Sequence, residues 1–194
     1  MEQELGTNPF KFGMAGGTDT HNGLVAAEED NFFAKFPSAE PRPDRWDEDA
    51  MNFGPNRIVK GWEMTAAGYT AVWATGNTRA ELWDAMMRRE TYATSGPRMI
   101  VRFFGGYDFT QADATRTPAV AGYAKGVPMG GDLPAAPAGK APTFLVAALK
   151  DRFSGNLDRI QIIKGWLGKD GKPEEKIYDA VSYTHLTLPT TSRV

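Results

Sequence analysis

Phe10-Lys11-Phe12-Gly13-Met14-Ala15 runs directly into Gly16-Gly17-Thr18-Asp19-Thr20-His21-Asn22-Gly23, and the reading of the fold turns on this join. The first six residues alternate apolar and other side chains, the period of a strand, so a short strand is expected there. The glycines that follow mark a loop whose backbone can approach a ligand closely. In an extended segment, residues two apart project to the same side. Asp19 and His21 can then face one point, offering a carboxylate oxygen and an imidazole nitrogen. These are ligand types for a divalent Zn, Mn or Fe ion. An ordinary turn fits the same residues, with Asp19 accepting backbone N–H groups and His21 capping a helix. His21 is the only histidine outside residues 181–194.

Working outward, residues 1–5 read as the end of a helix stopped by Gly6. Asn22 is placed to cap a helix over residues 24–33. Residues 31–57 are broken by Pro37, Pro41, Pro43 and Pro55, and they carry Phe32, Phe33, Phe36, Trp46 and Phe53. A loop of this length in a compact domain is a lid, a binding loop or disorder, and its rings argue against disorder. It is expected to cover Asp19 and His21 with those rings packed inward.

Residues 68–74 read as a second buried strand. Thr78-Arg79-Ala80-Glu81 is a capping box, and Leu82, Ala85, Met86 and Arg89 continue it at helical spacing. Ser95-Gly96-Pro97 is a turn signal and residues 98–104 a strand. Residues 105–142 are rich in Gly, Ala and Pro. Residues 143–149 and 159–164 are two further β-type runs, expected to form a small β unit appended to an α/β body. The stretch Ser182-Tyr183-Thr184-His185-Leu186-Thr187-Leu188-Pro189-Thr190 closely resembles peptide translated from sequencing-adapter read-through. Residues 181–194 therefore read as a non-native tail.

The totals narrow the function class. The chain has 194 residues, and 22 basic against 24 acidic side chains leave a net charge of -2. That balance gives no electrostatic footprint for nucleic acid. No apolar run approaches the roughly 20 residues of a membrane span. The absence of cysteine removes disulfides and thiolate ligands and leaves the compartment open. With one histidine outside the tail and no cysteine, no serine or cysteine triad can be assembled. Arg98, after Gly96-Pro97, is a candidate for an anionic substrate group, with a structural salt bridge as the plainer role. Asn22 and Tyr92 are further substrate-binding candidates, beside turn satisfaction for the Tyr92–Ser95 cluster.

Three stretches together carry a resemblance. They are Asn8–Gly13 with Gly17–Gly23, then Thr78-Arg79 through Arg88–Arg98, then Gly126–Leu133. The chain resembles the family called domain of unknown function 3604, which is similar to the PHP (polymerase and histidinol phosphatase) metal-dependent hydrolases. The resemblance implies the C-terminal portion of a distorted (β/α) barrel that binds two or three divalent metals. It assigns Asp19 and His21 to the barrel's Asp-x-His ligand pair, with the other ligands in an N-terminal part that this chain lacks. It also implies an exported, extracytoplasmic parent.

The expected organisation is thus residues 1–104 as the end of a hydrolase barrel, 105–180 as a β-rich unit and 181–194 as the tail. The expected function is a fragment of a metal-dependent hydrolase, acting in its intact parent on a small-molecule ester or phosphoester. From a different class, a non-catalytic binding or structural module built on the aromatic loop 31–57 fits the same residues.

Overall fold

The computed structural model describes residues 2–21, 42–64, 68–115, 117–181 and 190–193. The expected helix over 24–33, Asn22 and the first part of the aromatic loop lie outside these residues. The described chain divides into two compact units, Met1–Met87 with Thr91–Arg98, and Arg88–Glu90 with Met99–Val194.

The first unit begins with helix α1 (Glu2–Leu5), closed by Gly6, whose φ of 69° and N–H to the Glu2 carbonyl at 2.9 Å make the expected stop. The join that follows departs from expectation. Residues 10–15 form no strand, and Phe10, Phe12 and Met14 are all exposed. Alternation alone does not make a strand; the backbone needs a ladder partner. Here the segment is held by side-chain hydroxyls instead. Thr91 Oγ1 donates to the Met14 carbonyl at 2.9 Å, and Thr70 Oγ1 donates to the Gly16 carbonyl at 2.8 Å.

The described part of the loop 31–57 and the residues just after it carry a one-turn 3-10 helix (Arg45–Asp47) and an antiparallel hairpin of β1 (Asp49–Asn52) with β2 (Ile58–Lys60), where no regular element was expected up to residue 57. A second pair, β3 (Tyr69–Val72) with β4 (Thr91–Thr94), is also antiparallel, Tyr69 facing Thr94 and Val72 facing Thr91. Between them runs helix α2 (Arg79–Met87). Its start is the expected capping box in a variant form. The Glu81 N–H donates to Thr78 Oγ1 at 3.3 Å, while the Thr78 hydroxyl donates to Glu81 Oε2 at 2.7 Å.

The second unit is built on a four-stranded sheet in the order β10 (Thr190–Arg193), β7 (Thr143–Leu149), β5 (Ile100–Gly106), β6 (Gly126–Pro128). Strand β5 (Ile100–Gly106) pairs antiparallel with β7 (Thr143–Leu149) over its whole length, setting Phe104 opposite Leu145. Both are sealed from solvent, and with Phe109 and Ala114 they make the core. Helices α3 (Gln111–Thr115) and α4 (Pro118–Lys125) follow β5, and β6 (Gly126–Pro128) pairs on its other edge. The Tyr123 ring meets Phe104 edge-on at 5.1 Å, and its hydroxyl donates to Oε1 of the buried Glu90. Burial first, and Glu90 second, raise the Tyr123 pKa. At the start of α3, the Lys125 ammonium, then the Thr110 backbone N–H and hydroxyl, hold the Asp113 carboxyl down at about 2. Strands β8 (Ile160–Leu167) and β9 (Pro173–Val181) form a separate antiparallel ribbon. Within the stretch set apart as a tail, β10 (Thr190–Arg193) pairs with β7.

The expected (β/α) barrel portion is not what forms. The described strands make four open sheets, every pairing between them is antiparallel, and none closes on itself. A (β/α) barrel needs parallel neighbours joined by helical crossovers. In the first unit the β–helix–β passage β3–α2–β4 returns antiparallel. No helix of the described residues is long and apolar enough to cross a membrane.

Candidate functional site

The first unit holds a cleft of about 550 Å³ whose wall includes Thr18, Asp19, Phe53, Arg57, Glu63 and Ser95. Its floor is glycine-rich for a steric reason. A Cβ on Gly16 would lie 2.5 Å from the Tyr69 carbonyl oxygen, closer than any side chain is accommodated. The Gly16 N–H donates to Thr70 Oγ1 at 3.0 Å, and the same hydroxyl donates back to the Gly16 carbonyl. The glycine segment is thereby fastened along β3, which carries Asp19 to the cleft.

Asp19 and His21 do come together, but not by extension. Asp19 sits at φ 51°, in the left-handed region that Asp tolerates better than most residues. This turn brings the imidazole back over residue 19. His21 Nδ1 donates to the Asp19 carbonyl at 2.8 Å and lies 3.7 Å from Asp19 Oδ1. A carbonyl can only accept, so in the neutral ring Nε2 is the nitrogen carrying the lone pair. Metal-binding histidines are commonly held this way, the second ring nitrogen donating to a backbone carbonyl. Both side chains are half or more exposed. Among the described residues, no group of three or more His, Cys, Asp or Glu side chains is arranged to hold a metal ion.

The remaining sequence candidates lie elsewhere. Arg98 rests its guanidinium on the Tyr69 ring, 4.8 Å from the centroid, with Nη2 3.4 Å from the Tyr69 hydroxyl. Tyr92 faces Trp73 across a ring separation of 6.4 Å. Asn22 lies outside the described residues. Of the aromatic loop, Met51, Phe53 and Arg57 line the cleft beside Asp19, as a covering segment would. Its two rings among the described residues are not packed inward, however: Trp46 is 64% exposed and Phe53 67%. A ring at a hairpin tip has few neighbours to cover it.

Sequence reasoning missed Arg57. The signal was present in Gly54-Pro55-Asn56-Arg57, a turn signature followed by apolar Ile58-Val59, which marks a hairpin tip that displays its last residue.

A family model described as "Protein of unknown function (DUF3604)" matches residues 1–193, spanning both units. No curated protein and no solved structure matches the chain. The match covers all three stretches that carry the resemblance, and the chain belongs to the DUF3604 family.

Proposed function

We propose that the chain contributes to the active centre of a metal-dependent hydrolase, with Asp19 and His21 as two ligands of a divalent Zn, Mn or Fe ion at the cleft. The observation that carries this reading is the Asp19–His21 turn beside the cleft that Asp19 lines: Nδ1 donates to the Asp19 carbonyl, so Nε2 is the ligand nitrogen, on a ring held close to the Asp19 carboxylate. Ligation needs Nε2 and a carboxylate oxygen each about 2.0–2.1 Å from one ion, and both side chains are half or more exposed, with room to turn toward it. The two residues fit such a group as part of a ligand set. We assign its other members to donors beyond the described residues, on the resemblance to PHP hydrolases read from the sequence.

A bound ion would supply a Lewis acid and lower the pKa of its water. The chain's own residues do the positioning. Thr70 fixes the glycine segment, the left-handed turn at Asp19 orients the imidazole, and the β1–β2 hairpin tip walls the cleft. The substrate is a small-molecule ester or phosphoester. Titration of the chain with Zn²⁺, followed through the His21 ring signals by NMR, tests the reading. Weak binding that shifts those signals is expected; Asp19→Asn should abolish the shifts, and calorimetric titration should show Zn²⁺ binding lost in both Asp19→Asn and His21→Ala. Unchanged Zn²⁺ affinity in both variants would remove the ligand assignment.

A second reading, a binding module, is favoured by the exposed Trp46 and Phe53 rings, of which Phe53 lines the cleft. It requires no response of His21 to metal, so the same titration separates the two.

A further inference from the structure

The geometry points to Arg57 as the anion-recognising residue of the first unit's cleft, and to a ligand that is a small molecule bearing an oxyanion, phosphoryl or carboxylate. This rests on the reading of the cleft as the functional site, and its failure is distinguishable from a failure of the metal assignment.

The backbone at Arg57 is fixed while its side chain is left over. The turn from Phe53 to Arg57 closes the β1–β2 hairpin. Its Gly54 sits at φ 103°, and the Gly54 N–H donates to Asn52 Oδ1 at 2.9 Å. The Arg57 N–H donates to the Gly54 carbonyl at 3.2 Å, and the Arg57 carbonyl accepts from the Phe53 N–H at 2.9 Å. Both main-chain polar groups of Arg57 are therefore spent on holding the tip.

Arg57 lines the cleft, and its exposed guanidinium has no hydrogen-bond or ion-pair partner among the described residues. Other arginines are occupied. Arg42, Arg88 and Arg159 pair with carboxylates, and Arg98 and Arg102 lie over tyrosine rings. A guanidinium stays protonated and presents a planar fork of donors that matches two oxygens of one phosphoryl or carboxylate group. The Thr18 and Ser95 side chains line the same cleft and carry further hydroxyl donors.

Charge sets the sign of a coupling. Asp19 and Glu63 also line the cleft, and Glu63 Oε2 already accepts the Lys60 N–H at 2.7 Å. Two carboxylates repel an incoming anion, so Arg57 alone gives weak binding. A divalent cation at Asp19 reverses the local charge and strengthens it. The cleft thus takes the anion and the cation together.

The test uses the 194-residue chain, with methylphosphonate and acetate as separate probes, each titrated by ligand NMR without and with Zn²⁺. Wild type should bind at least one probe, more tightly with Zn²⁺. Arg57→Gln should weaken that binding at least ten-fold, about 1.4 kcal/mol. Arg57→Lys, which keeps the charge and loses the fork, should fall between. Circular dichroism should be unchanged in both variants, since the side chain is exposed and makes no hydrogen bond or ion pair among the described residues. The His21 response to Zn²⁺ should also survive Arg57→Gln. Methylphosphonate alone behaving this way makes the ligand a phosphoryl compound, and acetate alone a carboxylate. Equal affinity in wild type and Arg57→Gln, or no binding of either probe, overturns the proposal. Loss of the His21 response in wild type, with Arg57-dependent binding kept, overturns the metal reading and leaves this one standing.

Discussion

Gly130 and Gly139 offer a matched pair of substitutions in the second unit. Both have a left-handed backbone, with φ of 83° and 75°. Their surroundings differ. A Cβ on Gly139 would meet nothing within 4 Å, whereas one on Gly130 would lie 2.1 Å from the Arg89 carbonyl oxygen and 2.4 Å from its carbon. An L-residue in this region costs about 1–2 kcal/mol. The stiffer unfolded chain of the alanine variant returns roughly 0.4–1 kcal/mol of that. Gly139→Ala should therefore destabilise by about 1 kcal/mol. Gly130→Ala carries the same strain plus a collision with backbone, which cannot rotate aside. Arg89 has little room to adjust, since it is itself a non-glycine residue at φ 63°. Overpacking of this kind adds about 1–3 kcal/mol. The difference between the variants should be about 1–3 kcal/mol, roughly 5- to 150-fold in the opening equilibrium. Hydrogen exchange at the β5 and β7 amides reads the opening of this unit specifically. Exchange free energies for the two variants within 0.5 kcal/mol of each other would show that the Arg89–Gly130 approach is not a fixed contact.

Two further predictions concern charge and the cleft floor. Asp113, held at about 2 against an ordinary 3.8, has a lowered folded pKa. It contributes stability above the unfolded value, and that contribution is lost as pH falls from 3.8 through about 2. Asp113→Asn should flatten this acid limb in a pH series of denaturation midpoints, and an identical limb in the variant would refute the assignment. Thr70→Val removes the hydroxyl that makes both hydrogen bonds to Gly16, each contributing about 1 kcal/mol. Gly16 amide exchange should quicken about ten-fold and the Zn²⁺ response of His21 should weaken; unaltered exchange would mean that the glycine segment is held by something else.

Local chemistry was legible in the sequence. The stop at Gly6, the Thr78–Glu81 cap of α2, and the β-type runs at 143–149 and 159–164 all formed, because each is decided within a few residues. The proximity of Asp19 and His21 was also legible, though a left-handed turn produces it rather than an extended segment. What only the tertiary structure decided was pairing. Residues 10–15 alternate as a strand does and yet lie along the β3–β4 pair on hydroxyl contacts, because strand formation depends on a partner edge that no local pattern encodes. Strand direction is equally silent in composition, so strands and a helix that read as a barrel fragment fold into open antiparallel sheets. Arg57 belongs to the same class: its turn could be read from Gly54-Pro55-Asn56, but its place beside Asp19 depends on contacts between residues about forty apart in the chain, and these exist only once the unit has folded.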